Sequence, residues 1–293
     1  MKKVIKIRVP AKVNLFLRVT GKRPDGFHDL ISLFQPISIY DELTLTLTQL
    51  PGVINLDCGS ELPSGPENLV YQAAKRFFVA ASFATNLESS EFGVDIILNK
   101  DIPISAGLGG GSSDAAGVLI GLNELLGRPL SDEKIKELAL SIGSDVPFFL
   151  LKHSAIVRGR GEIVESKDVY PYSYLLVNPG FAVSASWAYS NLILTKRSEN
   201  NTLSGLEALS SGSVGAGGAL FNDLELAVEN EHKIVSEIKE ALLDAGAAGA
   251  MISGSGPTVF GLFLKKNIRD YAYEKLKNKF MSPLRIFKAE GLA

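Results

Sequence analysis

The sequence is short of cysteine, of clustered positive charge and of long apolar runs. The lone Cys58 excludes an intramolecular disulfide, which is typical of proteins in a reducing compartment, so a cytoplasmic location is expected. Thirty basic and thirty-two acidic side chains give a formal net charge of -2, which argues against a nucleic-acid partner. No apolar run is long enough to span a membrane, so we expect no membrane partner either. These absences favour a small-molecule partner.

A chain of 293 residues is long enough for about two domains and a sizeable core. Its hydrophobic content of 46% and charged content of 21% are ordinary for globular proteins. Short strand-like segments dominate the first half, whereas strands and helices alternate beyond residue 169. This pattern predicts an α+β fold with a boundary near residue 160, which gives domains 1–160 and 161–293.

Local patterns predict the individual elements. Strands are expected at residues 3–9, 14–20, 31–39, 43–49, 92–98, 174–177, 250–252, 258–264 and 284–288. Helices are expected at residues 67–82, 112–126, 131–142, 219–227, 231–244 and 268–279. The clearest period-two pattern is the alternation of leucine and threonine in residues 43–48, and the Ser/Gly-rich segment 210–218 predicts a mobile loop.

A glycine-rich segment, residues 103–114, runs directly into a predicted helix. Its glycines let the backbone approach a ligand closely, and the helix start offers unpaired N–H groups and a partial positive charge. This combination is typical of a phosphate-binding loop, although the spacing matches neither a Walker A loop nor G-x-G-x-x-G. The same residues also fit a loose turn before a helix.

Three further segments contain residue types that carry chemistry in other proteins. Lys12 lies between two predicted strands, and Asn14 begins the second of them; a lysine in this position is either catalytic or a solvated edge charge. Asp145 lies in a predicted turn just before the apolar residues 148–150, which we interpret as a strand, so the acid either works in a site or caps the turn. Residues 253–258 form a second glycine turn, which alone indicates an ordinary hairpin connection. The motifs of serine hydrolases and zinc enzymes are missing from the sequence.

Taken together, these segments resemble the three ordered motifs of the GHMP small-molecule kinases. The matching segments are residues 10–17 (PAKVNLFL), 107–116 (GLGGGSSDAA) and 253–257 (SGSGP). Their order and spacing agree with the family over nearly the whole chain. Residues 23–28, 67–70 and 143–147 are similar to one branch of that family, whose substrate carries a cytidine diphosphate group.

The resemblance implies a two-domain α+β fold and a reaction. The N-terminal, ATP-binding domain would be like ribosomal protein S5 domain 2, the C-terminal, substrate-binding domain would be ferredoxin-like, and the active site would lie in the cleft between them. The γ-phosphoryl group of ATP would be transferred to the 2-hydroxyl of a methylerythritol unit on cytidine diphosphate, in non-mevalonate isoprenoid biosynthesis. Mg²⁺ is expected because it neutralises the β- and γ-oxygens of ATP.

By motif position, the resemblance also implies site residues. Asp145 would be the catalytic acid/base residue, with Lys12 as its cationic neighbour. The ATP-binding residues would be Pro103, Gly107, Leu108, Gly109, Gly110, Gly111, Ser112 and Ser113, with Asn68 and Lys100 lining the adenine pocket. The substrate-binding residues would be Asn14 and the three that enclose the cytosine, Phe27, His28 and Tyr189. The family usually has tyrosine in place of Phe27, so stacking is retained and any hydrogen bond through the hydroxyl is lost.

Three other interpretations stay open from the sequence alone. Another GHMP kinase, acting on mevalonate, homoserine or a sugar, would share the motifs but would have no use for Phe27, His28 and Tyr189 around a base. A catalytically silent nucleotide-binding protein would share the glycine loop but would need neither Lys12 nor Asp145. Nucleic-acid binding through the S5-like fold rests on fold analogy alone.

Overall fold

Leucine and threonine alternate along residues 43–48, and the alternation shows directly in the burial of their side chains. The computed structural model describes residues 3–85, 92–192, 200–280 and 284–292. Leu43, Leu45 and Leu47 are buried in one strand, whereas the threonines between them are partly exposed. The period-two prediction is confirmed for this strand.

Strands and helices follow one another in mixed order. The strands are β1 (Val4–Lys22), β2 (His28–Thr48), β3 (Ile54–Asp57), β4 (Gly93–Asn99), β5 (Ala155–Gly159), β6 (Ile163–Ser166), β7 (Ser173–Asn178), β8 (Phe221–Asn222), β9 (Gly249–Ile252), β10 (Val259–Phe263) and β11 (Arg285–Glu290). The α-helices are α1 (Leu69–Thr85), α2 (Gly110–Leu125), α3 (Asp132–Ile142), α4 (Val146–Leu151), α5 (Ala185–Ser190), α6 (Asn200–Ser211), α7 (Glu225–Glu231), α8 (Lys233–Asp244) and α9 (Lys266–Lys279), with a 3₁₀ helix at Val214–Ala219. None of the described helices combines the length and the apolar character needed to cross a membrane.

Close packing divides the chain into two compact units, each built from separate stretches of sequence. The first unit consists of Met1–Ala11, Tyr40–Ile102 and Gly109–Lys152, and the second consists of Lys12–Ile39, Pro103–Leu108 and His153–Ala293. Strands β1 and β2 contribute residues to both units. The assignment of residues 1–160 and 161–293 to two functional domains stays a prediction.

In the first unit, the later part of β2 pairs antiparallel with β4, and β3 runs parallel to β4. Helices α1, α3 and α4 pack against α2. Two glycines bring α2 close to the strands: a Cβ on Gly117 would lie 2.6 Å from Val9 Cγ1, and one on Gly121 would lie 2.5 Å from Leu45 Cδ1. This close packing fixes the helix that begins in the glycine-rich segment.

In the second unit, β11, β7, β10 and β9 form an antiparallel sheet in that order. Helices α8 and α9 pack against the sheet, and Leu17 and Val19 of β1 belong to the same apolar core. Strand β8 runs parallel to β1, with Phe221 opposite Phe16. Strands β9 and β10 pair directly, so the prediction that residues 253–258 connect a hairpin is confirmed.

Two local predictions near the candidate site are wrong. Residues 10–13 do not separate two strands, because Pro10 and Lys12 lie inside the continuous strand β1. Residues 148–150 belong to helix α4 and not to a strand. A short apolar run does not by itself distinguish the two structures, and here Pro147 occupies the first turn of the helix, where proline is favoured.

Two predictions in the second unit are also wrong. Residues 210–218 contain the end of α6 and most of the 3₁₀ helix, where a loop was expected. Gly217 serves close packing there, since a Cβ on it would lie 1.7 Å from the Ala248 carbonyl oxygen. Residues 219–227 contain strand β8 and the start of α7, where one helix was expected, because residues 221–222 pair with β1.

Candidate active site

Two glycine turns from distant parts of the sequence touch each other in the second unit. Gly107 has a φ of 77°, and a Cβ there would lie 2.0 Å from the Ser253 carbonyl oxygen. The Ser253 hydroxyl donates a hydrogen bond to the Gly107 carbonyl at 2.9 Å. Gly107 therefore has to be glycine for two reasons, its left-handed backbone and the close approach of the second turn.

Lys12 and Asn14 lie on one face of β1, and both side chains are buried. Lys12 Nζ donates to Asn14 Oδ1 at 2.5 Å and lies 4.7 Å from the centroid of the Phe34 ring. Asn14 Nδ2 donates in turn to Ser32 Oγ at 3.0 Å. A Cβ on Gly254 would lie 3.3 Å from both Lys12 Nζ and Asn14 Oδ1. Lys12 is therefore not a solvated edge charge, and residues of all three sequence motifs come together around it.

Helix α2 begins at a glycine, so its first turn has no side-chain cap from that residue. Gly109 takes the N-cap position with a φ of 72°, whereas Ser131 caps α3 with its hydroxyl. Uncapped N–H groups at a helix start suit an anion such as phosphate. Of the two predicted serines, Ser112 is partly exposed, but Ser113 is buried and its hydroxyl donates to the Pro10 carbonyl at 2.7 Å.

Lys100 is enclosed by two buried carboxylates of the first unit. Its ammonium donates to Asp41 Oδ2 and, at 2.8 Å, to Asp114 Oδ2. Burial raises the pKa of Asp114 to about 7, an effect that the nearby ammonium only partly offsets. Burial also disfavours the charged lysine, but the carboxylates of Asp114 and Asp41 outweigh that effect and raise the pKa of Lys100. We call this group the Asp41–Lys100–Asp114 cluster; sequence reasoning singled out only its lysine.

Asn68, the other residue predicted for the adenine pocket, caps helix α1. Its Oδ1 accepts a hydrogen bond from Val70 N at 2.9 Å, and its Nδ2 donates to the Pro63 carbonyl at 2.8 Å. Both ends of the amide are thus used to fix the turn that leads into α1.

Two of the three residues predicted to enclose a base contact each other in the second unit. The His28 and Tyr189 rings stack, with centroids 5.1 Å apart and planes inclined by 16°. The half-exposed Phe27 ring instead contacts Arg160, whose Cζ lies 4.0 Å from the ring centroid. The stacked pair offers an aromatic face for a base, whereas Phe27 has a cationic neighbour that the sequence did not indicate.

Asp145 lies at the junction of α3 and α4 in the first unit and is partly buried. The predicted turn is present, because Val146 N bonds to the Gly143 carbonyl at 3.2 Å. Asp145 occupies the N-cap position of α4, yet its side chain makes no capping hydrogen bond to the helix. Asp145 therefore does not cap α4 through its side chain, and its catalytic role stays a prediction.

Asn222 is a site residue that sequence reasoning missed. Its Nδ2 donates to the carbonyls of Ile252, at 3.2 Å, and Gly254, at 2.7 Å, while its Oδ1 accepts from Leu224 N at 3.0 Å. The amide thus holds the turn that follows β9. No motif marks Asn222, and the segment around it was predicted as a helix.

Family models match two segments of the chain. The model for the GHMP kinases N terminal domain matches residues 68–153, and the model for the GHMP kinases C terminal matches residues 202–282. These matches confirm the two-domain GHMP kinase fold of the α+β class that the sequence motifs implied.

Curated relatives cover most of the chain. The 4-diphosphocytidyl-2-C-methyl-D-erythritol kinase of Geobacter metallireducens is 43% identical over 278 residues, which are 94% of this chain and 95% of the relative. The kinase of the same name from Geobacter sulfurreducens is 41% identical over 277 residues, again 94% and 95% of the two chains.

Solved structures agree with these relatives. A crystal structure of 4-(cytidine 5'-diphospho)-2C-methyl-D-erythritol kinase matches with a TM-score of 0.79 at 32% identity and covers 99% of this chain and 100% of its own. Homoserine kinase from Cytophaga hutchinsonii matches with a TM-score of 0.78 at 21% identity, over 99% and 95% of the two chains, which shows a shared fold alone. The chain therefore belongs to the 4-diphosphocytidyl-2-C-methyl-D-erythritol kinases, a family of small-molecule kinases within the GHMP kinases.

Proposed function

We propose that this chain transfers the γ-phosphoryl group of ATP to the 2-hydroxyl of 4-diphosphocytidyl-2-C-methyl-D-erythritol, giving the 2-phosphate and ADP in non-mevalonate isoprenoid biosynthesis. The observation that carries the proposal is the meeting of Lys12, Gly107 and Gly254, which come from three segments far apart in the sequence. Such convergence of a buried lysine with two glycine turns suits the handling of phosphate groups. The names of the relatives support the choice of substrate.

ATP binds along the glycine-rich segment in this proposal. Residues 107–113 hold the phosphates, with Pro103 before them, and Asn68 and Lys100 line the adenine pocket. The left-handed glycines and the start of α2 support this assignment, because both present main-chain N–H groups to an anion. The described residues include no group of three His, Cys, Asp or Glu that could hold a metal. Mg²⁺ nevertheless fits, because it binds largely through the nucleotide phosphates and neutralises their β- and γ-oxygens.

The cytidine of the substrate binds at the aromatic residues of the second unit. The His28 and Tyr189 centroids, 5.1 Å apart, already lie within the range of direct stacking, so the base stacks on an outer face of the pair. Phe27 adds an aromatic surface without a hydroxyl. Asn14 lies beside the reacting hydroxyl, and its contacts with Lys12 and Ser32 fix its orientation.

Asp145 acts on the substrate hydroxyl. An alcohol has a pKa near that of water, about 15.7, whereas a free aspartate has a pKa of about 3.9. Early removal of the proton by Asp145 would therefore be steeply unfavourable. The carboxylate instead orients the hydroxyl and accepts its proton late, when bond breaking to the leaving ADP has made the alcohol more acidic.

Lys12 supplies positive charge in this reaction. Its ammonium offsets negative charge on the transferring phosphoryl group. The hydrogen bond to Asn14 and the contact with the Phe34 ring hold the lysine in one position, so little reorganisation is needed during transfer.

The variant Asp145→Asn tests this chemistry. We expect kcat to fall by about 10²–10⁴-fold, because the amide cannot accept the proton, while the affinity for ATP changes by less than about twofold. A coupled assay of ADP release gives kcat, and calorimetric titration gives the ATP affinity. Asp132→Asn is the matched control, since Asp132 lies exposed in the first turn of α3 and should leave kcat unchanged.

The substrate is tested by assaying 4-diphosphocytidyl-2-C-methyl-D-erythritol against homoserine and mevalonate. We expect phosphorylation of the cytidine-bearing compound alone. Preference for either of the others would overturn the substrate assignment, and unchanged turnover of Asp145→Asn would remove this residue from its role. Binding of ATP without transfer to any of the three alcohols would show a silent nucleotide-binding protein.

A further inference from the structure

We propose that the Asp41–Lys100–Asp114 cluster positions the glycine-rich segment, and that Lys100 serves nucleotide binding through this segment and not through a bond from its ammonium to the base. The inference rests on the proposed ATP site and specifies how one part of it is built.

The cluster holds the chain at both ends of residues 103–113. At the start of this segment, Asp41 Oδ1 accepts hydrogen bonds from the two main-chain amides that follow Lys100, at 2.7 and 2.9 Å. At its end, Asp114 in α2 accepts from Lys100 Nζ at 2.8 Å. The same ammonium donates to Asp41, so one buried ion links the two ends. A loop held in this way has less conformational freedom to lose when it binds a ligand.

Gly110 provides independent evidence for the positioning role. A Cβ on Gly110 would lie 3.0 Å from Lys100 Nζ and 2.9 Å from Ile102 Cγ2. Gly107 and Gly109 have positive φ values, but Gly110 does not, so its backbone conformation does not require glycine. The space taken by Lys100 and Ile102 does require it. The first residue of α2 thus lies so close to the ammonium that no side chain fits between them, and the position of Lys100 is matched to the start of the helix.

The Lys100 ammonium is largely buried and hydrogen-bonded to two carboxylates, so it cannot also reach a base. The side chain of Lys100 is 14% exposed, and those of Asp41 and Asp114 are 0% and 2% exposed. Two of its three donors already serve these carboxylates. Asp114 Oδ1 is buried without a hydrogen-bond partner among the described residues, so this carboxylate depends on Lys100. Moving the ammonium to a ligand would leave buried carboxylates uncompensated, and only the aliphatic stem can line the adenine pocket.

The test compares three ligands that share a phosphate chain but differ at the base. The full-length protein is titrated calorimetrically with ATP, GTP and inorganic tripolyphosphate, each with Mg²⁺. In Lys100→Met we expect all three affinities to fall by a common factor, about 10–100-fold, because the loop loses its fixed position. Asp114→Asn, which keeps the side-chain shape, should lower all three by a smaller common factor.

Glu229→Gln is the matched control. Glu229 contacts Lys239, which also bonds Glu225, so this change likewise neutralises one carboxylate beside a lysine between two acids. We expect its three affinities to stay within about twofold of the parent protein, whatever its stability. A general effect of destabilisation would instead lower affinity in the control as well, and would overturn the positioning role.

Two other outcomes would contradict the positioning role of the cluster. If Lys100→Met weakens ATP but leaves tripolyphosphate unchanged, the ammonium acts on the base and the inference is wrong. If folded variants bind all three ligands as the parent does, the cluster does not position the loop. Should Lys100→Met fail to fold, Asp114→Asn carries the same comparison. Failure of the proposed function is recognised separately, by a parent protein that binds ATP and tripolyphosphate yet phosphorylates no cytidine-bearing substrate.

Discussion

Two lysines of this protein each lie between two carboxylates, but the two clusters differ in depth and in construction. Lys239 in α8 contacts Glu225 at 2.9 Å and Glu229 at 2.7 Å, with side chains that are 16–21% exposed. The carboxylates around Lys100 are almost completely buried. Each cluster also holds main-chain amides: Glu225 accepts from the N–H of Ile252 at 3.0 Å, and Asp41 accepts from the two amides after Lys100.

The two clusters differ in the number of elements that they connect and in the hydration that their charged groups lose on folding. Glu225 and Glu229 are four residues apart on α7, so the cluster around Lys239 needs only α7 and α8 to be in place. The Asp41–Lys100–Asp114 cluster needs β2, the residue after β4 and α2 to be in place together. Its charged groups lose more hydration when the chain folds, so the cluster contributes little to the net free energy of folding. Its charges are compensated in one geometry, so it fixes the relative positions of these three elements.

The largest expected contrast is between Lys100→Met and Lys239→Met. Removal of Lys100 leaves two buried carboxylates without their counter-ion, so we expect a loss of about 3–5 kcal/mol in the free energy of unfolding. The same change at Lys239 should cost about 1–2 kcal/mol, because its partners can be hydrated more easily. Urea unfolding of the two variants gives both values. Equal losses would show that the depth of burial does not distinguish the clusters.

The pH dependence of stability gives a second contrast. Burial raises the pKa of Asp114 from 3.8 to about 7, and burial raises the pKa of Glu225 as well. An acid with a raised pKa binds protons more tightly in the folded state, so its contribution to stability falls as the pH rises, for Asp114 between about pH 4 and 7. The groups facing these acids are Lys100 and Asp41 for Asp114, and Lys239 and Glu229 for Glu225. Lys100, with its raised pKa, stays charged throughout this range.

Asp114→Asn should therefore remove a negative slope of up to about 1.4 kcal/mol per pH unit from the unfolding free energy. Glu225→Gln should remove a smaller slope of the same sign, because that cluster lies nearer to solvent. The measurement is urea unfolding of both variants and the parent at pH 5, 6 and 7. If the unfolding free energy of the parent protein rises relative to that of Asp114→Asn as the pH rises, the raised pKa of Asp114 is contradicted.

The smallest expected contrast lies between two neighbouring glycines of α2. Gly110→Ala should lower the unfolding free energy by about 1–3 kcal/mol, because its methyl group would press on Ile102 and Lys100. Gly111→Ala should be neutral or stabilise by up to about 1 kcal/mol, since its nearest neighbour, Leu69 Cδ1, would be at an ordinary 3.6 Å. Thermal unfolding of the two variants checks the order. The reverse order would show that Lys100 does not limit the space at Gly110.

Much of the fold could be predicted where local patterns decide it. The alternation in β2, the helix that begins in the glycine-rich segment and the Ser131 cap of α3 all depend on residues close in sequence. Local patterns failed at residues 10–13, which were expected to separate two strands but lie inside β1, and at residues 148–150, which fit a strand as well as a short helix.

The residues of the candidate site also fall into two groups, those that local patterns indicate and those that depend on contacts far apart in the sequence. Glycine spacing drew attention to Gly107, but only the structure shows that Ser253 presses against it. Asp41 and Asn222 could not be found from the sequence, because their partners lie far along the chain and no motif contains them. Long-range contacts between polar groups have no period in sequence, which is why they were missed.

The antiparallel bridge between Ile37 and Gly291, with the hydrogen bond from Leu292 N to the Pro36 carbonyl, has a consequence for biosynthesis. These partners leave the ribosome about 250 residues apart, an interval on the order of ten to fifty seconds at typical elongation rates. During that time residues 36–37 of β2 have no partner for these main-chain hydrogen bonds. Nascent chains of this protein should accordingly depend on chaperones until residues 291–292 have been synthesised.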